Sequence, residues 1–428
     1  MSTRKIFYGW IMVVALFFIY VCMGVFPFYT GSVLGAYITS DPLSGVNVGL
    51  WGIAFTIFIL VQGLPAPLIG MIVEKKGSKF TMLIGSLLVM AGSLLLAFFP
   101  SPATLIIGFS LMISLGVGMA GQLPVQTVIN MWFYKRRALA MGIVMLAGGV
   151  GITIIGPVVT KIIELSGGQW NYGWFFLTAV SLVTFLLVLL FVHNRPENKG
   201  LTIDNGAIDT ADKTQENSRV YKTRVSMSHG ASVRTAAYWV MAFGMVAYFI
   251  PYNLCGSHAM IHFRNVGFDP MFVATGLSIM GVASLVARII VGIIGDYIEP
   301  IKIMGIAVPI MALGGIAATY IVSPAVIYIY FLAIGFGSGF GRVCIPTAVA
   351  NYFGPESYAR NIGLIMTTAA IFSAFVPAGG GFIFQKLGSY NLAFIITGVL
   401  GVLAGVGCLF VKPPKITEED LHEQSVAS

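Results

Sequence analysis

Long apolar segments, separated by short polar ones, recur along the entire chain. Each of them has the roughly 20 residues that a helix needs to cross a bilayer. The pattern predicts an all-α integral membrane protein with twelve transmembrane helices. These spans lie at about residues 8–37, 48–73, 79–99, 102–132, 137–165, 172–193, 235–262, 270–295, 302–322, 325–352, 359–384 and 390–411.

One long polar stretch interrupts this pattern near the middle of the chain. It is rich in Asn, Asp, Lys, Thr, Ser and Glu, a composition typical of a mobile linker. We therefore predict four segments. They are an N-terminal six-helix bundle at 1–193, a cytoplasmic linker at 194–234, a C-terminal six-helix bundle at 235–411 and a cytoplasmic tail at 412–428.

The composition agrees with a membrane protein and excludes several other classes. Hydrophobic residues make up 57% of the chain and charged residues 9%, whereas soluble domains carry about 25% charged residues. The first apolar segment is too long for a signal peptide and lacks a small-residue cleavage site. The four cysteines fall inside predicted spans at spacings that match no zinc site, so we expect no metal and no cofactor.

The distribution of positive charge predicts the orientation in the membrane. With both termini in the cytoplasm, most of the 24 Lys and Arg residues lie on the inner side, as the positive-inside rule requires. The net charge of +8 is thereby explained without nucleic acid as a partner. The short loops favour a prokaryotic inner membrane, the lipid bilayer is the expected surrounding, and we expect a monomer.

The two halves of the chain repeat a short motif. Gly70 and Glu74 follow the second span, and Gly292 and Asp296 follow the eighth span at a constant offset of 222 residues. Repeated six-helix halves are how many secondary transporters build a site that opens alternately to either side. We predict gating loops, with tight turns carrying solvated charges as the alternative. The predicted gating residues are Gly70, Glu74, Lys75, Gly77, Lys79, Gly292 and Asp296.

Two arginines are the deepest charges in the predicted spans, and no acidic residue lies at comparable depth. They are Arg288, about 12 Å from the inner end of its helix, and Arg342, about 15 Å from the inner end of its own. An arginine at a helix centre costs roughly 3 kcal/mol on the most lenient scale. Its planar donor fork suits a carboxylate, so we predict that a small anion binds here. For Arg342 the alternative is bonding to carbonyl groups near a helix end.

Other polar and aromatic side chains are candidates for the same site. Gln122, Gln126 and Asn130 are spaced by four and form one stripe along the fourth span, with hydrogen bonding between helices as the alternative. His258 is a candidate for coupling because histidine titrates near neutral pH, although it could be an ordinary polar residue at a helix end. Further predicted substrate contacts, for which helix packing is the alternative, are Tyr29, Tyr252, Asn253, Cys255, Phe340 and Phe372.

The loops and one helix entry carry a family resemblance. The gating loops resemble the conserved loop of the major facilitator superfamily, and the stretch from Trp132 to Gly142 resembles the fifth-helix entry of the monocarboxylate transporters and the oxalate–formate antiporter group. The resemblance implies the major facilitator fold, two pseudo-symmetric six-helix bundles, and an eighth-helix arginine, here Arg288, that pairs with the substrate carboxylate. Proton-linked animal relatives have an aspartate where this chain has Ser284, so proton coupling by that residue is not expected.

We therefore predict a secondary active transporter and no enzyme. The predicted substrate is a small monocarboxylate such as lactate or pyruvate, moved by alternating access, with proton symport, exchange and uniport left open. A dicarboxylate or organic-anion antiporter of the oxalate–formate type is the alternative. A multidrug exporter is disfavoured because no buried acid is present, and a membrane sensor because linker and tail are too short for an output domain.

Overall fold

The computed structural model describes residues 7–46, 48–205, 220–223, 225–268, 270–320 and 323–414, and within them the secondary structure is helical, without strands. Six helices, labelled here α1 to α6, precede the linker. They are α1 (Tyr8–Ile19, π-helical Tyr20–Val25 and Phe26–Ser40), α2 (Val48–Gly63 and Ala66–Lys76), α3 (Ser78–Phe98), α4 (Pro102–Thr104, π-helical Leu105–Ile113, Ser114–Ala120 and Gln122–Trp132), α5 (Arg137–Leu165) and α6 (Asn171–Phe191).

Six more helices follow the linker. They are α7 (Ala236–Asn265), α8 (Pro270–Ile294), α9 (Pro300–Tyr320), α10 (Pro324–Phe353), α11 (Tyr358–Leu387) and α12 (Asn391–Phe410). Short helical turns at Pro42–Ser44, Pro196–Lys199, Ile203–Asn205 and His229–Val233 lie between spans. Eleven helices of the described chain are long and apolar enough to cross a membrane, and the pair Ile53–Gly63 and Ala66–Lys76, bent by 42°, brings the number to twelve.

The contacts divide the chain into two units. Unit 1 holds the described residues of Met1–Tyr134 and Ile143–Thr210, and unit 2 holds those of Lys135–Gly142 and Ala211–Ser428. Within unit 1, α3 packs mainly on α6 and α4, whereas in unit 2 the corresponding α9 packs mainly on α12 and α10. The pairing of α2 with α4 likewise corresponds to that of α8 with α10. The repeat in the sequence therefore corresponds to a repeat in packing.

Helices that carry exposed apolar stripes have the surface expected of lipid-facing spans. On α9, Ile306, Ile310 and Leu313 are each more than half exposed and recur at helical spacing. The buried faces instead carry small residues, since close backbone approach replaces the hydrophobic effect as the source of helix association in lipid. Gly305 and Gly405 provide such an approach between α9 and α12, because a Cβ added at either would lie about 3 Å from the other's carbonyl oxygen.

Candidate functional site

Helices α8 and α10 of unit 2 meet along a seam of small residues. A Cβ added to Gly335 would collide with the carbonyl oxygen of Met280, and one added to Gly339 would collide with the carbonyl oxygen of Ser284. The glycines of α10 thus allow close packing against α8 at these positions. The seam brings the side chains of α10 within hydrogen-bond range of α8.

Arg288 lies beside this seam and contacts the hydroxyl group of Ser284, which Ser338 of α10 contacts in turn. Its Nη2 donates to Ser284 Oγ over 3.3 Å, and Ser338 Oγ of α10 donates to the same Ser284 Oγ over 3.2 Å. Ser338 also contacts the carbonyl of Gly335 at 2.9 Å, which fixes its own rotamer. The arginine is only 7% exposed, so a neutral hydroxyl pair orients a buried cation without adding a negative charge.

Arg342 lies further along α10 and faces α7. Its guanidinium carbon is 5.9 Å from the ring centre of Tyr252, within the range of a cation–π contact. The neighbouring Gly341 allows α7 to come close, because an added Cβ would lie 2.6 Å from the ring of Tyr248. Two of the predicted substrate contacts, Arg342 and Tyr252, are therefore brought together.

The start of α5 crosses α8 at the position of Arg288. A Cβ on Gly142 would lie 2.8 Å from the carbonyl oxygen of Arg288 and 2.9 Å from the Cα of Gly292. Only glycine at position 142 permits this contact between two backbones. The crossing fixes the main chain of the arginine and explains why the first turns of α5 belong to unit 2.

At the end of α8, Asp296 caps the beginning of α5. Its carboxylate accepts hydrogen bonds from the backbone N–H groups of Ala138 at 3.1 Å and Leu139 at 3.2 Å. These are amides of the first helical turn, which lack partners within their own helix and form the positive end of its dipole. Lys222 of the linker approaches the same carboxylate at 3.6 Å.

Burial and charge act in opposite directions on this acid. Burial raises the pKa of Asp296 above its ordinary value, while Lys222, the two amides and Arg137 oppose the rise. The pKa of Glu299, five residues after the end of α8, is raised by burial in the same way and lowered again by the amide of Tyr221, which donates to its carboxylate. Arg137 itself is 2% exposed and donates to Asn351 Oδ1 at the end of α10 over 2.7 Å.

The equivalent loop of unit 1 is closed by a neutral side chain. Gly77 adopts a φ of +87°, and Asn194, at the start of the linker, occupies the space that a Cβ there would need. The Oδ1 of Asn194 accepts from the backbone N–H of Lys79 over 2.8 Å, and the Nζ of Lys79 donates to the carbonyl of Leu189 over 2.7 Å. The predicted loop residues Gly70, Glu74 and Lys75 belong to the second half of α2 and its last turn.

The polar stripe predicted on α4 begins where that helix breaks. The break is at Gly121, and the helix resumes at Gln122, so that Pro124 lies in a first turn, where proline is tolerated. Gln126 is fully buried and its Nε2 lies 3.6 Å from the sulfur of Met145, whereas Gln122 is partly exposed. Both polar atoms of the Asn130 side chain are buried without a hydrogen-bond partner among the described residues.

The remaining candidates are dispersed. His258 is buried between α7 and α11, with its Nδ1 3.2 Å from the hydroxyl of Tyr390 and its ring against Gly380. Cys255 is 1% exposed and lies 3.7 Å from the sulfur of Met280. Burial differs among the others: Tyr29, Asn253 and Phe340 are partly exposed and Phe372 is exposed.

Three residues that matter in this geometry were missed by sequence reasoning. Ser338 is one hydroxyl among many in apolar spans, and nothing in its sequence neighbourhood indicates a contact with Ser284. Asn194 and Lys222 lie in the predicted linker, whose polar composition resembles that of any unstructured segment. The described parts of that linker nevertheless make specific hydrogen bonds, Asn194 within unit 1 and Lys222 within unit 2.

The chain is similar to proteins of one large family. The family model described as Major Facilitator Superfamily matches residues 11–321 and 257–427. The oxalate:formate antiporter of Oxalobacter formigenes is 24% identical over 371 residues, covering 86% of this chain and 84% of that protein. Monocarboxylate transporter 13 of Rattus norvegicus is 25% identical over 366 residues, covering 84% of this chain and 78% of that protein.

Solved structures are similar along nearly the whole chain. A proton:xylose symporter matches with a TM-score of 0.72 at 15% identity, covering 97% of this chain and 99% of that one. The fucose:proton symporter of E. coli matches with a TM-score of 0.69 at 14% identity, covering 95% of this chain and 98% of that one. At such identities the likeness establishes the fold alone, and the predicted all-helical transporter architecture is confirmed.

Proposed function

The chain belongs to the Major Facilitator Superfamily, and we propose that within it the protein carries small monocarboxylates such as lactate or pyruvate by alternating access. It is an integral membrane transporter rather than an enzyme. The observation that carries the choice of substrate is Arg288, a buried guanidinium that donates to the hydroxyl of Ser284, which is itself bonded to Ser338. The relatives whose names refer to monocarboxylates and to oxalate and formate support a small carboxylate as the substrate.

The physical argument starts from the cost of the buried cation. An arginine inside a span is expensive, and α8 and α10 contain no acidic residue that could neutralise it. A carboxylate substrate supplies a negative charge and two parallel acceptors for the planar guanidinium. A bound carboxylate offsets part of the cost of this buried cation, so binding and release of the substrate change the energy of this side chain.

Arg342 favours a second candidate, a dicarboxylate exchanger. Its charge lies in the same unit, over the ring of Tyr252, and a second carboxylate is proposed to bind there. Exchange of one anion for another needs no titrating carboxylate in the spans, and Ser284 occupies the position where proton-linked relatives have an aspartate. A role of His258 in proton coupling remains a prediction for the symport mode.

Further parts of the proposal concern the surroundings of this site. We place both termini in the cytoplasm of a prokaryotic cell, with the protein as a monomer in the inner membrane, on the basis of the basic loops. The charged loops after α2 and α8 are proposed to hold that face closed during part of the cycle. Gln122, Gln126 and Tyr29 of unit 1 stay proposed substrate contacts, as do Asn253, Cys255, Phe340 and Phe372 of unit 2.

The first test is the thermal stability of the purified protein in a panel of mono- and dicarboxylates. A ligand at about 100 times its Kd stabilises the folded state by about 2.7 kcal/mol, so binding is visible as a rise in Tm. Arg288→Ala should weaken binding by about a hundredfold or more, since one partner of a buried charged pair is lost. Lys386→Gln removes an exposed positive charge elsewhere in unit 2 and serves as the control.

The outcome is read from the ligand and from the variant together. A rise in Tm with monocarboxylates that Arg288→Ala abolishes and Lys386→Gln retains supports the proposal. A rise that persists in Arg288→Ala, or its absence with every acid at concentrations well above millimolar, contradicts it. If Arg342→Gln removes the response to dicarboxylates while that to monocarboxylates remains, the exchanger becomes the better description.

A further inference from the structure

The second half of the linker lies along the ends of helices in unit 2. The backbone N–H of Thr223 donates to the carbonyl of Asn351 over 2.8 Å, and that of Met227 donates to the carbonyl of Phe353 over 2.9 Å. Both acceptors belong to the last turn of α10, where carbonyl groups have no partner in their own helix. The linker thus completes the hydrogen bonding of α10.

The contact surface is shaped to receive this segment. Gly354, directly after α10, has a φ of +85°, and a Cβ there would collide with Ser226. The ring of Tyr221 packs edge-on against Tyr352 at 5.6 Å between centroids. We call residues 220–223 and 225–228 the clasp, since they are the described part of the linker that forms these contacts.

Lys222 is the residue of the clasp that reaches beyond α10. Its Nζ donates to the carbonyl of Lys135 over 2.9 Å and lies 3.6 Å from Asp296 Oδ1. Lys135 is in the turn before α5, and Asp296 is in the turn after α8. Both the lysine and the aspartate side chains are only 10% exposed, so this pair is largely removed from water.

Several contacts at this junction involve the carboxylate of Asp296. Asp296 caps the first turn of α5 and also faces Lys222, while Arg137 of that turn binds Asn351 on α10. If the start of α5 leaves the end of α8, Asp296 loses its two amide donors and Lys222 loses the Lys135 carbonyl. An ammonium group that remained there would be buried with fewer partners, which is unfavourable.

We propose that Lys222 is a gating residue of the transporter: it joins the start of α5 to the ends of α8 and α10, and the clasp must detach when this junction opens. The proposal relies on alternating access, as proposed above, but not on the identity of the substrate. The linker is then a working part of the gate rather than a passive connection between two bundles. Lys222 acts through Asp296 and Lys135, so it is a positioning residue and not a substrate contact.

Hydrogen–deuterium exchange of the substrate-free protein tests this directly. In Lys222→Met, which keeps an unbranched side chain of similar length, peptides covering 135–142 and 220–228 should both exchange roughly three- to tenfold faster. Lys222→Arg should restore slow exchange, since it retains the charge. Lys199→Gln, a change in the first half of the linker at a lysine that lies over the ring of Tyr8, is the matched control.

Transport assays separate gating from mere support of the fold. Lys222→Met should change the rate of substrate transport severalfold. Its affinity for the stabilising acid, read by thermal shift, should stay within about twofold. Faster exchange at 220–228 with no change at 135–142 would mean that the clasp does not hold α5, and the inference would be wrong. Equal effects of Met and Arg at position 222 would overturn it as well. Failure of every carboxylate to bind affects the proposed substrate but leaves the exchange result intact.

Discussion

The loop after α2 in unit 1 and the loop after α8 in unit 2 occupy equivalent positions of the repeat, and each of them binds one end of the linker. In unit 1 the bond is neutral: Asn194 accepts from the backbone of Lys79. In unit 2 the bond is ionic: Lys222 faces Asp296, which also caps α5. Equivalent places in the fold have thus acquired contacts that respond differently to pH and to a change of charge.

Single substitutions in the repeat account for this divergence. At the constant offset of 222 residues, Glu74 corresponds to Asp296 and Gly77 corresponds to Glu299. Gly77 leaves a space that Asn194 fills, whereas Glu299 projects a carboxylate that accepts from the backbone of Tyr221. The comparison teaches that a shared backbone plan leaves the chemistry of the junction free to differ between the halves.

The largest difference between the loops should come from removing the two equivalent acids. Asp296→Ala removes the cap of α5 and the partner of Lys222, and we expect it to cost about 3 kcal/mol of stability, at the low end of the range for a broken buried pair because both side chains remain slightly exposed. Glu74→Ala should cost clearly less, because the described closure of the unit 1 loop is the neutral bond between Asn194 and the backbone of Lys79. Tm values of both variants in one detergent measure the contrast, and equal losses would mean that the two loops are equivalent after all.

A smaller effect is expected where unit 1 depends on glycine. Gly77 has a φ of +87° and a ψ of 158°, a region almost confined to glycine, and an alanine there should cost about 1–3 kcal/mol. Gly200→Ala is the control, since Gly200 also has a positive φ but open space around it. The double change Gly77→Ala with Asn194→Ala should cost less than the sum of the two, because the collision is relieved. Strict additivity would show that strain alone is responsible.

The helices and the main charged residue of the site could be predicted from the sequence because they depend on local properties. Spans appear as apolar runs, and Arg288 is conspicuous as a charge within one. The break in α4 lies at Gly121 and not at Pro124, because proline is compatible with the first turn of a helix that restarts there. Sequence composition identifies a proline but not its position relative to a break.

Contacts made by the linker could not be predicted in the same way. Asn194 and Lys222 resemble the polar residues around them, and their partners are more than 70 residues away along the chain. Ser338 is likewise unremarkable until α10 is packed against α8. What makes these residues important is the position of a partner from another helix, and a single sequence without its fold does not contain that distance.

The smallest expected effect is a pH dependence of stability. It should distinguish the ionic contact between Lys222 and Asp296 from the neutral bond between Asn194 and Lys79. Burial raises the pKa of Asp296 above its ordinary value of 3.8. The stability that this shift contributes to the free energy of unfolding is fully present below pH 3.8 and is lost as the pH rises through the raised pKa. Lys222 opposes this shift, and Lys222→Met should therefore raise the pKa further and deepen the loss. The neighbouring Glu299, whose pKa is raised by burial and opposed by Lys222 and Lys302, acts in the same direction.

The measurement is the difference in Tm between wild type and Lys222→Met at a series of pH values from 4 upward. That difference should be small where both carboxyl groups are protonated and should increase to the equivalent of about 1 kcal/mol once they are ionised. Asn194→Ala provides the counterpart from unit 1, and its difference should stay constant because an amide does not titrate. If both differences follow the same course with pH, Lys222 stabilises the junction by packing alone, and the contrast between an ionic and a neutral closure disappears.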